Sequence, residues 1–235
     1  MEPRSILPWL QVSEPVSSLS HLAGAIFVAL ASARLLRLVG DDARRRRAAW
    51  LYLFGVGGMF LASGVYHFVS NDSPIRGLLW RLDHAMIWMT IAGTIAAIHL
   101  LADLRPRWLG VCVWLLAFAG LVIEQTYLDD MAPWVSPALY VGMGWTGLIS
   151  LVQLKRTQGA RLAGWTLSAG VTCTLGGVCD ALAWPRLWPG VIEGHEVLHL
   201  MIAAGMAQFY VAVHGCASLV HDGAGTPPGS EALSP

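Results

Sequence analysis

Seven apolar segments dominate this chain, near residues 17–39, 49–70, 79–101, 108–127, 134–154, 161–183 and 192–220. Each is close to the roughly 20 residues that a helix needs to cross a bilayer. The loops between them are short: GDDARRRR, NDSPIRG, DLRPR, DDMAP, KRTQGA and WPRLWPG. Loops of this length force neighbouring helices to run antiparallel. Only 13% of residues are charged, against about 25% in an ordinary soluble domain, and mean hydropathy is +0.56. The expected fold is all-α, a polytopic membrane protein with a seven-transmembrane helix bundle over 17–220. Residues 1–16 form a short N-terminal segment. The Gly-, Pro- and Ser-rich tail over 221–235 is expected to be disordered.

Several function classes drop out at this level. Formal net charge is zero, so nothing points to nucleic acid as a partner. Cys112, Cys173, Cys179 and Cys216 all lie in apolar runs and form no CxxC pair, which makes them packing residues. No cleavable signal is evident in the proline-broken N-terminus. Trp50, Trp80, Trp108, Trp134, Trp184 and Trp188 fall at segment ends, where an indole lies at headgroup level and carries no chemistry. Glycines recur within the spans, at Gly55, Gly57 and Gly58, at Gly142, Gly144 and Gly147, and at Gly170, Gly176 and Gly177. Close helix approach accounts for them.

The polar residues inside the spans are the informative ones. When the seven helices weave up and down, the start of helix 1, the end of 2, the start of 3, the end of 4, the end of 6 and the start of 7 share one membrane face. His21, Ser63, His67, Asp83, His84, Glu124, Asp180, His195 and His199 all lie at that face. Ionisable groups at membrane depth are costly and tend to face a partner, a metal or a water-filled cavity. The plainer alternative is that they merely meet water in the interface. Their common depth argues for a site.

His195 and His199 are four apart, so on a helix both imidazoles share one face. Ser63 and His67 have the same spacing. His67, His195 and His199 together offer three nitrogen ligands. Three protein ligands plus one water is the pattern of a catalytic zinc site, and the absence of thiolate argues against a structural one. Imidazole also suits copper, iron and nickel, so zinc (Zn2+) is the preferred assignment among several. Asp83 is positioned in this reading as the base for a water at the open position, whose pKa zinc lowers towards about 7. Ser63 orients that water or donates to a developing oxyanion. His21 is a fourth ligand or, more in keeping with the pattern, a donor that supports one. His84 follows Asp83 and so points about 100° away. Glu196 points away from the His195/His199 face. Glu124 and Asp180 read as interfacial, and His99 and His214 as packed or interfacial.

These residues resemble a known family. Ser63-Gly-Val-Tyr-His67, then Leu82-Asp83-His84-Ala85 with Ala92-Gly93-Thr94, then His195-Glu-Val-Leu-His199, are similar to the hemolysin III branch of the progestin and adipoQ receptor family. Glu14 with Ser18, Ser20, His21 and Gly24 resembles its helix 1 motif, and Tyr140 with Gly142 to Trp145 its helix 5 motif. The likeness covers everything but the tail. It implies a seven-helix fold with a buried zinc on His67, His195 and His199, with Asp83 and Ser63 beside it. The alkaline ceramidases share that constellation in a wider superfamily of membrane hydrolases. The resemblance therefore implies hydrolysis of a lipid amide or ester, with membrane lipid as both solvent and substrate. A zinc-stabilised receptor or sensor and a hemolysin-like pore-former are the competing functions. The Arg-rich first loop and the acidic DDM after helix 4 depart from the family pattern.

Orientation has two conflicting indicators. Arg34, Arg37, Arg44 to Arg47, Arg105, Arg107, Lys155, Arg156 and Arg161 lie opposite the site face, which carries only Arg4, Arg76, Arg81 and Arg186. Basic residues in short loops stay cytoplasmic, which puts the N-terminus and the site outside the cell membrane. The adiponectin receptors, to which the resemblance extends, hold their N-terminus and metal in the cytoplasm.

Overall fold

Pro15 opens α1 (Pro15–Val39) from the first turn, where its missing N–H costs nothing. α2 (Ala43–Phe68) begins when the Asp42 side chain accepts the Arg45 backbone N–H at 2.8 Å. The Arg-rich run is therefore the first turns of α2 and not a loop, six residues earlier than the hydrophobic boundary at 49. A capped run of Ala and Arg is helix-favouring whatever its hydropathy. α3 (Arg76–Leu101), α4 (Trp108–Tyr127), α7 (Ala160–Ala181) and α8 (Gly194–Gly223) follow the expected segments closely. The fifth span differs. It consists of α5 (Val135–Trp145) and α6 (Leu148–Gln158), separated at Thr146 and Gly147. There Thr146 N donates to Met143 O at 3.1 Å and Gly147 N to Gly144 O at 3.1 Å, a tightened turn in a glycine-rich stretch.

The computed structural model describes residues 12–132 and 134–223, with side chains described to Leu219. Of the tail expected to be disordered over 221–235, residues 221–223 continue α8 and are helical, and the rest lies outside the described residues, as does Arg4 at the other end. Seven spans are long and apolar enough to cross a membrane, with α5 and α6 counted as one. This is an all-helical, multi-pass integral membrane protein. Its outer faces fit that medium: Leu30, Leu78 and Ile149 are each at least two-thirds exposed.

Successive helices pack side by side, and the ring closes where α1 meets α8. α3 is central, touching α2, α4, α5 and α8. Glycine sets its approach to α2. A Cβ on Gly93 would lie 2.4 Å from the Leu51 carbonyl oxygen, and one on Gly55 would lie 2.8 Å from that of Met89. Close packing does not explain every span glycine, however. Around Gly142, Gly144 and Gly170 an added Cβ would meet nothing within 4 Å. Gly144 and Gly170 line a cavity of about 570 Å³ between the helices. Two apolar cores flank it, one of α1, α2, α3 and α8 joined by Leu154 of α6 and Leu162 of α7, the other of α3, α4 and α5.

The up-and-down weave holds at both ends. Arg44 and Arg107 both pair with Asp103, at 2.6 and 3.1 Å, which joins the start of α2 to the α3–α4 loop. At the opposite end Glu14 pairs with Arg76 at 3.1 Å, and Arg81 with Asp129.

Candidate metal centre

The end of α2 and the start of α8 meet at this second end. Glu14 N donates to the His67 carbonyl at 3.1 Å, which ties the start of α1 to the last turn of α2. α8 starts sharply because Glu196 accepts the backbone N–H of Glu193 at 2.9 Å, a capping contact. Glu196 thereby has a role on the side away from the histidines. Gly194 lets that start press on α7, since a Cβ there would lie 2.3 Å from the Cys179 carbonyl oxygen. One turn on, His195 and His199 face α2.

The structure brings His67, His195 and His199 together, with one nitrogen of each within 4.8 Å of the others. The Nε2 atoms of His195 and His199 are 3.1 Å apart. His67 and His199 are buried and His195 is half-buried. What stands behind each ring is as telling. His67 Nδ1 is 2.6 Å from Glu14 Oε2, His195 Nδ1 is 3.0 Å from Asp180 Oδ1, and His199 Nδ1 is 3.0 Å from His21 Nε2. A ring that donates Nδ1–H to a carboxylate turns a bare Nε2 the other way. Metal-binding histidines are held in this manner. The donor set therefore fits a metal ion: three imidazole nitrogens, converging, two of them backed by carboxylates.

Glu14 precedes the first span. Burial pushes its carboxyl up, but the hydrogen bond to His67 and the charges of His67, His195 and Arg76 bring it below the usual glutamate range. It is an anion wedged between His67 and Arg76.

Asp83 and Ser63 line the cavity beside this group, both buried. Asp83 Oδ2 is 3.8 Å from His67 Nε2, the nitrogen that faces the other two histidines. His21 lies against the far side of His199, outside the three-nitrogen group. Two of the residues read as interfacial are not. Asp180 holds His195, and Glu124 is fully buried, accepting hydrogen bonds from Trp88 Nε1 at 2.7 Å and from Tyr140. His84 turns away from the metal group, as its 100° offset requires, and reaches Glu124 at 3.1 Å. His99 is buried and bonded to Ser150.

Glu14 is the residue that spacing arguments alone passed over. It lies outside the spans, and its signals were its place at the site end, directly before a helix-opening proline, and its part in the resemblance to the family's helix 1 motif. Its pairing with His67 is a contact across 53 residues.

Fold and site together define a seven-span helical membrane protein with a candidate histidine metal centre near one end of the bundle. The chain belongs to the haemolysin-III related family, whose model matches residues 10–210. It is similar to the monocyte to macrophage differentiation factor of Homo sapiens, Rattus norvegicus and Mus musculus. Identity to each is 26% over 198 residues, covering 80% of this chain and 78% of each relative.

Proposed function

We propose that this protein is a zinc-dependent hydrolase of a lipid amide or ester, with His67, His195 and His199 holding the metal. The observation that carries the reading is Asp83, a buried carboxylate 3.8 Å from His67 Nε2 at the edge of the cavity. A site whose task is only to tie α2 to α8 has no use for it. Bound zinc supplies a Lewis acid and lowers the pKa of a water beside it. Asp83 takes the proton from the attacking water and returns it to the leaving amine or alcohol. Ser63, in the same wall, donates to the carbonyl oxygen as it gains charge. Glu14, Asp180 and His21 keep the three imidazoles aimed. Ile87, Ile91, Ile95, Ile98, Leu151 and Ile202 also line the cavity and give it an apolar stretch suited to an acyl chain.

The positive-inside argument places the N-terminus and this site on the outer side. Arg44, Arg105 and Arg107, gathered round Asp103, belong to the opposite end. Substrate would then reach the metal from the outer leaflet.

The test is Asp83→Asn in purified, zinc-loaded protein offered a panel of N-acyl and O-acyl lipids in vesicles. The wild type should release fatty acid from at least one of them. The variant should keep its metal and lose turnover by at least a hundredfold, in the range usual for a catalytic acid–base group of roughly 10²–10⁴. Undiminished turnover by the variant removes Asp83 from the mechanism. A wild type inert on every lipid favours zinc as a clamp in a receptor.

A further inference from the structure

A second polar cluster faces the cavity, separate from the histidine group. Glu124 of α4 has no exposed surface, although it lies in a membrane span. Trp88 donates its indole N–H to Oε2 at 2.7 Å, and Tyr140 donates its hydroxyl to Oε1. His84 Nδ1 is 3.1 Å from Oε1 and 3.0 Å from the Tyr140 oxygen. An indole can only donate, and the Tyr140 hydroxyl is spent on Oε1. The network closes when Glu124 is a carboxylate and His84 carries its proton on Nδ1. With the imidazole neutral, Nε2 of His84 is then a bare acceptor. It has no hydrogen-bond partner among the described residues, while the side chain keeps 23% of its surface accessible. His84, Tyr140 and Asp83 line the same cavity.

A buried carboxylate in a span is expensive, and one that served packing alone would be better replaced by an apolar side chain. Here its effect is to fix which nitrogen of His84 faces the cavity. Asp83 and His84 leave α3 about 100° apart, so they serve adjoining parts of the wall, Asp83 towards the three histidines and His84 towards α4 and α5. We propose that His84 Nε2 is a hydrogen-bond acceptor that selects lipids bearing a hydroxyl close to the carbonyl group held beside Asp83. This rests on the reading that a lipid amide or ester occupies the cavity. It adds a specificity residue, His84, and a positioning residue, Glu124.

The test uses two lipids that differ by one hydroxyl, N-oleoyl ethanolamine and N-ethyl oleamide. Binding to the zinc-loaded full chain in nanodiscs is read by tryptophan fluorescence, and turnover separately by fatty-acid release. The wild type should bind the hydroxyl lipid roughly tenfold more tightly, the worth of one well-placed hydrogen bond. His84→Ala should erase that preference, so that the two lipids bind alike, and leave metal content unchanged. Glu124→Leu should weaken it, because the ring loses the carboxylate that anchors Nδ1–H and aims Nε2 at the cavity. Tyr140→Phe keeps the Glu124–His84 bond and should keep the preference, which separates this effect from general damage to the wall. Equal binding of the two lipids by the wild type, no binding of either, or a preference that survives in His84→Ala overturns the proposal. Discrimination without turnover leaves His84 selective and sinks only the hydrolase reading. Turnover without discrimination does the reverse.

Discussion

Glu14→Gln isolates the support behind one metal ligand without touching the ligand. Glu14 Oε2 is 2.6 Å from His67 Nδ1 and Oε1 is 3.1 Å from Arg76 Nη2. Both contacts use the negative charge. An amide of the same size can turn its oxygen to one neighbour only, leaving its NH2 against the other, a donor as well. A hydrogen bond to a charged group is worth about 1.5–3 kcal/mol, and the Glu14 side chain is only 24% exposed, so solvent screens little of it. Removing such a partner typically costs about 10–100-fold in metal affinity, or about 1.4–2.7 kcal/mol, which agrees with the bond's own worth. Zinc affinity should be measured by chelator competition at pH 7.5, with Asp83→Asn as a control that keeps its affinity. The pH dependence has a defined sign in the metal-free protein. The Glu14 carboxyl is held below its ordinary value of 4.5. Its contribution is therefore in place above that pH and is lost as pH falls through the lower folded-state value. The stability gap between wild type and Glu14→Gln should persist at neutral pH and close only in that acid range. Zinc affinity within twofold of wild type would refute the reasoning, because His67 would then be held by something other than Glu14.

His195→Ala should lose zinc and also the metal-dependent stabilisation, which at a hundredfold excess of free zinc over Kd is about 2.7 kcal/mol and is read as a rise in melting temperature; full metal content in each of the three histidine-to-alanine variants would dismiss the centre. Gly93→Ala, whose Cβ would lie 2.4 Å from a backbone oxygen of α2, should destabilise the bundle by about 1–3 kcal/mol in detergent melts. Gly142→Ala, with open space around it, should be neutral or slightly stabilising. For orientation, a fluorescent protein fused after Pro235 should glow and an alkaline phosphatase fusion should be silent; the opposite pair of results would place the C-terminus outside and reject the charge argument.

Hydrophobic patterning carried most of the fold. Its errors have local causes: Asp42 caps a run of arginines into helix, and Gly144 and Gly147 break a span that hydropathy leaves whole. The histidine set was readable because two of its members sit on one helical face and the third closes a neighbouring span. The support behind it was not. Glu14 meets His67 across 53 residues and His21 meets His199 across 178, and no periodicity reports such pairs.

Spans, their antiparallel order and the face where ionisable groups collect follow from the chain alone, because a bilayer allows few solutions for apolar runs of this length and penalises charge anywhere but at a site. Which carboxylate backs which imidazole, why Glu124 can lie wholly buried, and which glycines close a helix contact and which open a cavity are decided by tertiary packing. Those depend on the rotation and spacing of helices against one another, and a span looks equally apolar at every rotation.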